Sequence, residues 1–321
     1  MDLTDPLWAN ARRLIASGGK AEAILLVHRR AAGGDPSAWF VLACWKWEGA
    51  VLPRDLGQAR ALFARAGEAG HSGAAACITN LLANGVAGER DWPGALARLR
   101  SEARSDPQRQ AASRLLGKMR LTPEGDPPAI RPSRPLSLAP EVHLFPGLFT
   151  PAECDHLARA AAPNLEPSFV VDEETGRAEL DPVRTSDGCE LHWFVEDPAV
   201  HALNRRLAAA TGTSVDQGEP LQILRYSVGQ QYRRHLDAVP GLANQRVLTA
   251  IVYLNQGYEG GGTCFPRVGL TVEGRKGDAL VFRNASADGR VDPLSEHAGL
   301  PVTSGTKFIA SRWIHQLPIA P

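Results

Sequence analysis

The sequence has no excess of charge of either sign: 35 lysines and arginines are matched by 35 aspartates and glutamates. A neutral chain gives no general electrostatic reason to bind nucleic acid or an anionic membrane, and neither is an expected partner. No run of about twenty apolar residues exists, so no membrane-spanning helix is expected. The five cysteines, Cys44, Cys77, Cys154, Cys189 and Cys264, are odd in number, scattered, and never spaced Cys-x-x-Cys. That argues against a disulfide framework and against a cysteine zinc site, and it suits a reducing compartment. Met1-Asp2-Leu3-Thr4-Asp5 is acidic and leads into no long apolar stretch. No secretory leader is therefore expected, and the expected location is cytoplasmic. Composition leaves the oligomeric state open.

At 321 residues the chain is long enough for two domains with sizeable cores. Residues 1–118 are rich in Ala, Leu and Arg and read as helices. A repeat of period 36 relates Gly49-Ala50-Val51 to Gly85-Val86-Ala87, Asp55 to Asp91 and Ala59 to Ala95, with a degenerate copy expected near 10–46. A period in this range points to stacked helix pairs. Residues 119–138 hold Pro123, Pro127, Pro128, Pro132 and Pro135 and read as an extended linker. Residues 139–321 are then a second domain. Val142–Phe149 reads as an entry strand. Thr150-Pro151-Ala152-Glu153 reads as a helix start, with Thr150 as N-cap and Glu153 at the third position. That helix should run to about Ala162, and a second should lie near Pro198–Thr211. Residues 165–184 are polar and turn-rich and read as a loop over a site.

The chemistry concentrates in the second domain. His235 and Asp237 stand two apart, and His297 follows about sixty residues later. On a strand, residues i and i+2 point to one side. Two imidazoles and one carboxylate on one face of an iron(II) ion leave three positions open for a bidentate co-substrate and dioxygen. Ten residues after His297, Lys307 begins an alternating run in which Lys307, Ile309, Ser311 and Trp313 would share a face. A lysine pointing inward requires an anion, and a dicarboxylate would supply one. Arg225 and Arg312 are the other cations that could do so. His315 is the rival to His297, disfavoured because it follows Lys307 on the last strand. Trp313 reads as barrel filling. His192, beside Trp193, could line a substrate pocket.

These residues sit in a longer pattern. It runs through Arg184-Thr185-Ser186-Asp187-Gly188, Leu221-Gln222-Ile223-Leu224-Arg225-Tyr226, Gly229-Gln230-Gln231-Tyr232 and His235-Leu236-Asp237. It continues through Thr249–Asn255, Gly261-Gly262-Thr263-Cys264-Phe265-Pro266, Lys276–Phe282, His297–Val302 and Gly305-Thr306-Lys307. Over residues 184–318 the chain resembles the prolyl 4-hydroxylase branch of the iron(II)/2-oxoglutarate dioxygenases. The helical part resembles Sel1-like tetratricopeptide repeats. The resemblance implies an α+β chain, with an N-terminal helical repeat domain followed by a double-stranded β-helix (jelly-roll) catalytic domain with flanking helices. It implies His235, Asp237 and His297 as iron ligands. Lys307, Tyr226 and Thr263 would then contact 2-oxoglutarate, and Arg184, Thr185 and Ser186 would form a substrate-side loop. The implied cofactors are Fe(II), 2-oxoglutarate and O2, and ascorbate is admitted as an accessory. The activity expected is hydroxylation of a prolyl or other residue in a protein or peptide. Two other readings stand beside it: the same chemistry on a free amino acid or small natural product, and a scaffold whose barrel is inactive.

Overall fold

The repeat becomes visible in how the first helices end. The computed structural model describes residues 5–171, 178–180 and 183–319. Seven helices occupy the first part: α1 Pro6–Ala16, α2 Lys20–Ala32, α3 Pro36–Glu48, α4 Leu56–Glu68, α5 Ser72–Asn84, α6 Trp92–Glu102 and α7 Pro107–Leu116. α3 and α5 both stop at a left-handed glycine, Gly49 (φ 78°) and Gly85 (φ 76°). A Cβ on either would press within 3.0 or 3.1 Å of the Cβ of Arg54 or Arg90, so a side chain there meets both strain and a neighbour. α4 and α6 both start from an aspartate cap. The Asp55 carboxylate accepts from the Gln58 amide and Asp91 from the Gly94 amide, each at 2.9 Å, satisfying first-turn donors that have no helical partner. All these pairs are 36 apart, and Gly19, the N-cap of α2, precedes Asp55 by the same interval. α3 is buried on every side, with Trp39, Phe40, Val41, Leu42, Trp45 and Trp47 in the core, as suits the centre of a unit.

The chain divides into two compact units, and the helical one is discontinuous: residues 1–118 are joined by Trp193–His201. This departs from the contiguous second domain expected from residue 139. Phe194 belongs to the helical core, its ring 4.4 Å from Trp47 and 5.3 Å from Phe63 between centroids. Two side chains one turn apart on α5 grip the same segment. The Asn80 amide donates to the Phe194 carbonyl at 2.5 Å and Asn84 to the Trp193 carbonyl at 3.2 Å. Asn80 is itself fixed by Arg109 (2.9 Å), whose Nε is paired with Glu102 at 2.6 Å.

The second unit comprises residues 119–192 and 202–320. Its strands begin with β1 Arg134–Leu138 and β2 Glu141–Phe145; helix α8, Pro151–Ala161, follows. Next come β3 Glu166–Pro167, β4 Phe169–Val171, β5 Ala178–Leu180 and β6 Asp187–Leu191, then helix α9, Pro198–Thr211. The remaining strands are β7 Leu221–Tyr226, β8 Tyr232–His235, β9 Arg246–Tyr253, β10 Glu259–Gly260, β11 Thr263–Phe265 and β12 Leu270–Val272. β13 Ala279–Arg283, β14 His297–Gly299, β15 Val302–Ser304 and β16 Lys307–His315 complete the set.

The main sheet runs β1-β2-β13-β9-β16-β7-β6-β3 and the smaller one β12-β11-β14-β8. Strands β7 to β9, β11 to β14 and β16 supply four strands to each sheet, the double-stranded β-helix. The two sheets enclose an apolar core that includes Tyr226, Tyr253, Phe265 and Phe282. α8 opens with the expected capping box at Thr150 and Glu153. Glu153 also ion-pairs with Arg206 on α9 at 2.7 Å, with both side chains largely buried.

Two segments differ from their sequence reading. The segment read as a linker ends in β1, which pairs with β2, and its turn is tied down because Arg205 holds the Glu124 carbonyl and the Asp126 carboxylate. Proline content signalled only that helix was excluded, not that pairing was. Within 165–184, read as a loop, β3 pairs with β6 and β4 with β5. Residues 172–177 and 181–182 of that stretch lie outside the described residues.

Candidate metal centre and co-substrate pocket

His235 ends β8 and His297 begins β14, and the two are direct partners across the antiparallel pair. Asp237 lies just past β8 rather than on it, so alternation along one strand does not by itself aim this carboxylate. Its direction is set by a hydrogen-bond chain. Thr249 on β9 donates to Asp237 Oδ2 at 2.6 Å, and Asn284 donates to the Thr249 hydroxyl at 2.8 Å. His235 Nδ1 meets the Arg233 carbonyl at 2.7 Å and His297 Nδ1 the Ser295 carbonyl at 3.0 Å. A carbonyl can only accept, so each Nδ1 carries the proton and each Nε2 offers a lone pair. Both Nε2 atoms stand 3.5 Å from an Asp237 oxygen. One ligand atom from each of the three residues falls within 4.8 Å of the others. Backbone carbonyls behind histidines and a hydroxyl behind a carboxylate are the outer shell that fixes metal ligands.

Burial acts on the charges as a metal site needs. It pushes His297 below its ordinary range, the Asp237 charge only partly opposing, and so favours the neutral imidazole a metal binds. Burial would raise Asp237, but its interactions with the His297 and His235 rings and the bond from Thr249 outweigh it and hold the carboxyl below its usual range.

The three residues line one pocket together with Tyr226, Thr263, Lys307, Ile309, Ser311 and Trp313. The alternating face read from Lys307 to Trp313 is therefore the pocket wall. Lys307 is 3 % exposed and donates to the Gly261 carbonyl at 2.5 Å. It forms no ion pair among the described residues, and its ammonium lies 5.4 and 5.8 Å from the ring centres of Tyr226 and Tyr253. Burial lowers it to about 8, with the Glu273 charge offsetting in part. Gly261 makes room for this side chain: a Cβ there would stand 3.0 Å from Lys307 Cδ, at a backbone φ of +66°. Tyr226 is driven up to about 12 by burial, with the Ser186 hydroxyl and Arg184 acting the other way, so it stays a neutral hydroxyl. The Thr263 hydroxyl lies 3.3 Å from that of Tyr253.

The rival cations are used elsewhere. Arg225 pairs with Asp187 at 2.8 Å. Arg312 donates to the carbonyls of Glu219, Asn204, Val215 and Gly218. His315 is held by Glu219 and the Asn244 carbonyl, both at 2.7 Å. Thr185 exchanges backbone and hydroxyl bonds with Gln231 beside β8. Arg184 donates to Gln222 at 3.0 Å and lies over Tyr232, 5.7 Å from the ring centre. Ser186 is buried. Arg184 and Thr185 thus brace the strand that carries His235, while Ser186 lies against Ser168 and Tyr226. Neither His192 nor Trp193 lines the pocket; Trp193 packs in the helical unit against Trp47. His192 beside Trp193 reads as a pocket lining only as long as the helical core that takes up Trp193 is out of view.

Sequence reasoning passed over Thr249, Asn284 and Tyr253. It also passed over Tyr232, whose ring stacks on His235 at 3.5 Å, and Arg246, whose guanidinium lies 4.2 Å from the Trp313 ring centre. Thr249 and Tyr253 lay within a recognised strand pattern, but nothing in their spacing distinguished them from strand packing.

Residues 221–315 match the 2OG-Fe(II) oxygenase superfamily. The chain is 34% identical over 214 residues to prolyl 4-hydroxylase 2 of Arabidopsis thaliana, covering 58% of this chain and 71% of that protein. Among solved structures, a viral collagen prolyl hydroxylase from Paramecium Bursaria Chlorella virus-1 in complex with 2OG is 26% identical, with a TM-score of 0.43 over 55% of this chain and 96% of that one. A Sel1 repeat protein from Oxalobacter formigenes is 20% identical, with a TM-score of 0.31 over 34% of this chain and 85% of that one. The chain belongs to the 2OG-Fe(II) oxygenases, among the relatives of the prolyl 4-hydroxylases. It is a 2-oxoglutarate-dependent dioxygenase, and this family uses Fe(II), 2-oxoglutarate and O2.

Proposed function

We propose that the chain hydroxylates a prolyl residue in a protein or peptide, with His235, Asp237 and His297 holding iron(II) and Lys307 pairing with the distal carboxylate of 2-oxoglutarate. The observation that carries this reading is the convergence of two carbonyl-oriented imidazoles and one hydroxyl-oriented carboxylate in the pocket that buries Lys307. With iron and 2-oxoglutarate bound, the centre supplies oxidative decarboxylation of the co-substrate coupled to oxygen insertion into a C–H bond. The chain's own residues provide the arrangement. Two neutral imidazoles and one anion leave part of a metal's coordination sphere for other ligands. Lys307 offers a cation in an apolar wall of Tyr226, Ile309 and Tyr253, where an ion pair is little screened. The Tyr226 and Thr263 hydroxyls flank it as neutral hydrogen-bonding groups. No side chain need act as general acid or base.

The polypeptide substrate rests on the prolyl 4-hydroxylase relatives. The direct test is mass spectrometry of prolyl peptides and of cell lysate after incubation with the enzyme, Fe(II) and 2-oxoglutarate. A gain of one oxygen on proline, matched by succinate, is expected. Oxygen added only to free amino acids or small metabolites would move the reading to the small-molecule alternative.

A further inference from the structure

The strand that presents His235 is irregular. Tyr232 and His235, three apart on β8, face Gly299 and His297, two apart on β14. The extra residue is a bulge, a device that re-aims side chains. It lets Tyr232 and His235 both line the pocket, which regular alternation would forbid. The residues between them, Arg233 and Arg234, are both exposed. Neither side chain has a hydrogen bond or ion pair among the described residues. Arg184, Arg246 and Arg267, by contrast, are engaged, with Gln222, Glu219 and Glu296. β8 ends the smaller sheet, and the two exposed arginines adjoin His235, a candidate metal ligand, without lining the pocket themselves. Leu236, 37 % exposed, adds an apolar side chain next to them.

We infer that Arg233 and Arg234 select polypeptide substrates that carry an acidic side chain close to the residue being hydroxylated. The inference rests on the polypeptide reading above. An extended chain advances about 3.3 Å per residue, so an acid two positions from the target falls within reach of an arginine next to His235. Arginine favours carboxylates because its planar fork matches them. The pair is open to solvent, so its effect is on selectivity and encounter more than on the chemical step.

The test uses the full chain with prolyl peptides identical except for Glu, Gln or Lys two positions to either side of the proline. The expected order of kcat/KM is Glu above Gln above Lys, with about a three- to tenfold step between Glu and Gln at low salt that shrinks as salt is added. The variant R234E should abolish the preference for Glu over Lys and leave substrate-free decarboxylation of 2-oxoglutarate unchanged. Equal kcat/KM for the Glu and Lys peptides would overturn the inference. So would a uniform loss for all peptides in R234E, the result expected of a merely structural role. Continued decarboxylation with no peptide hydroxylated would remove the polypeptide reading itself, and this inference with it.

Discussion

Asn80 in the helical unit and Lys307 in the barrel are both buried side chains that donate to a backbone carbonyl. Asn80 is closed on both sides, its amide on Phe194 and its carbonyl oxygen on Arg109. Lys307 forms no ion pair among the described residues and the Glu273 charge offsets its burial only in part, although an ammonium has three donors and is costly to bury alone. The contrast extends through both units. Among the described residues, buried polar groups of the helices include helix caps and a network round one held segment. Those of the barrel include a set turned toward a shared pocket. A group that is finished within the fold reads as architecture; one that is left unfinished reads as a place for something else.

That contrast breaks or sharpens under substitution. The largest effect is expected for Asp237→Ala, which removes the only carboxylate of the triad. 2-Oxoglutarate turnover, followed as succinate, should fall by more than about a thousandfold, as expected when a metal-centred reaction loses its metal. Bound iron should drop in parallel while the circular dichroism spectrum persists. Wild-type turnover in this variant would remove the iron assignment. Phe194→Ala should do the reverse. It opens a cavity in the helical core costing about 3–5 kcal/mol, seen as a lower melting temperature, with kcat retained at a temperature where the protein is folded. If melting is unchanged, Phe194 does not complete that core.

Lys307→Ala should raise KM for 2-oxoglutarate by more than about tenfold, since one partner of a buried charge pair is worth roughly 2–5 kcal/mol. An unchanged KM would return the role to another cation. Thr249→Val should weaken iron binding by about ten- to a hundredfold through misdirection of Asp237, read by metal titration. An unaltered titration would show that Asp237 needs no such support. The smallest effect is on pH. Lys307 is lowered to about 8, and only its charged form pairs with a carboxylate. KM for 2-oxoglutarate should be flat below about pH 8 and rise above it, and in Lys307→Ala the rise should vanish.

Much of this was legible in the chain. Period 36 appears because caps are chemically distinctive: Gly49 and Gly85 need a positive φ, and Asp55 and Asp91 need a short acceptor. His235, Asp237, His297 and Lys307 were legible because charge at inward positions is rare. The discontinuity at Trp193–His201 was not, because apolar aromatics look alike whichever core they join. Thr249 and Asn284 were hidden for a related reason: a hydroxyl or amide on a buried strand has no spacing of its own. The bulge in β8 was invisible too, since it is a property of pairing with β14 rather than of either strand alone.

The placement of Phe194 also bears on synthesis. A ribosome finishes α7 well before it reaches the aromatic residue that seals the helical core, 76 residues after Lys118. At about 5–20 residues per second, that is an interval of roughly 4–15 s in which the emerging helices carry an open apolar notch at Trp47 and Phe63. The helical unit precedes most of the barrel in the chain, yet it cannot be completed until Phe194 has been made. A chain stalled between residues 118 and 193 would leave that notch without its Phe194 ring.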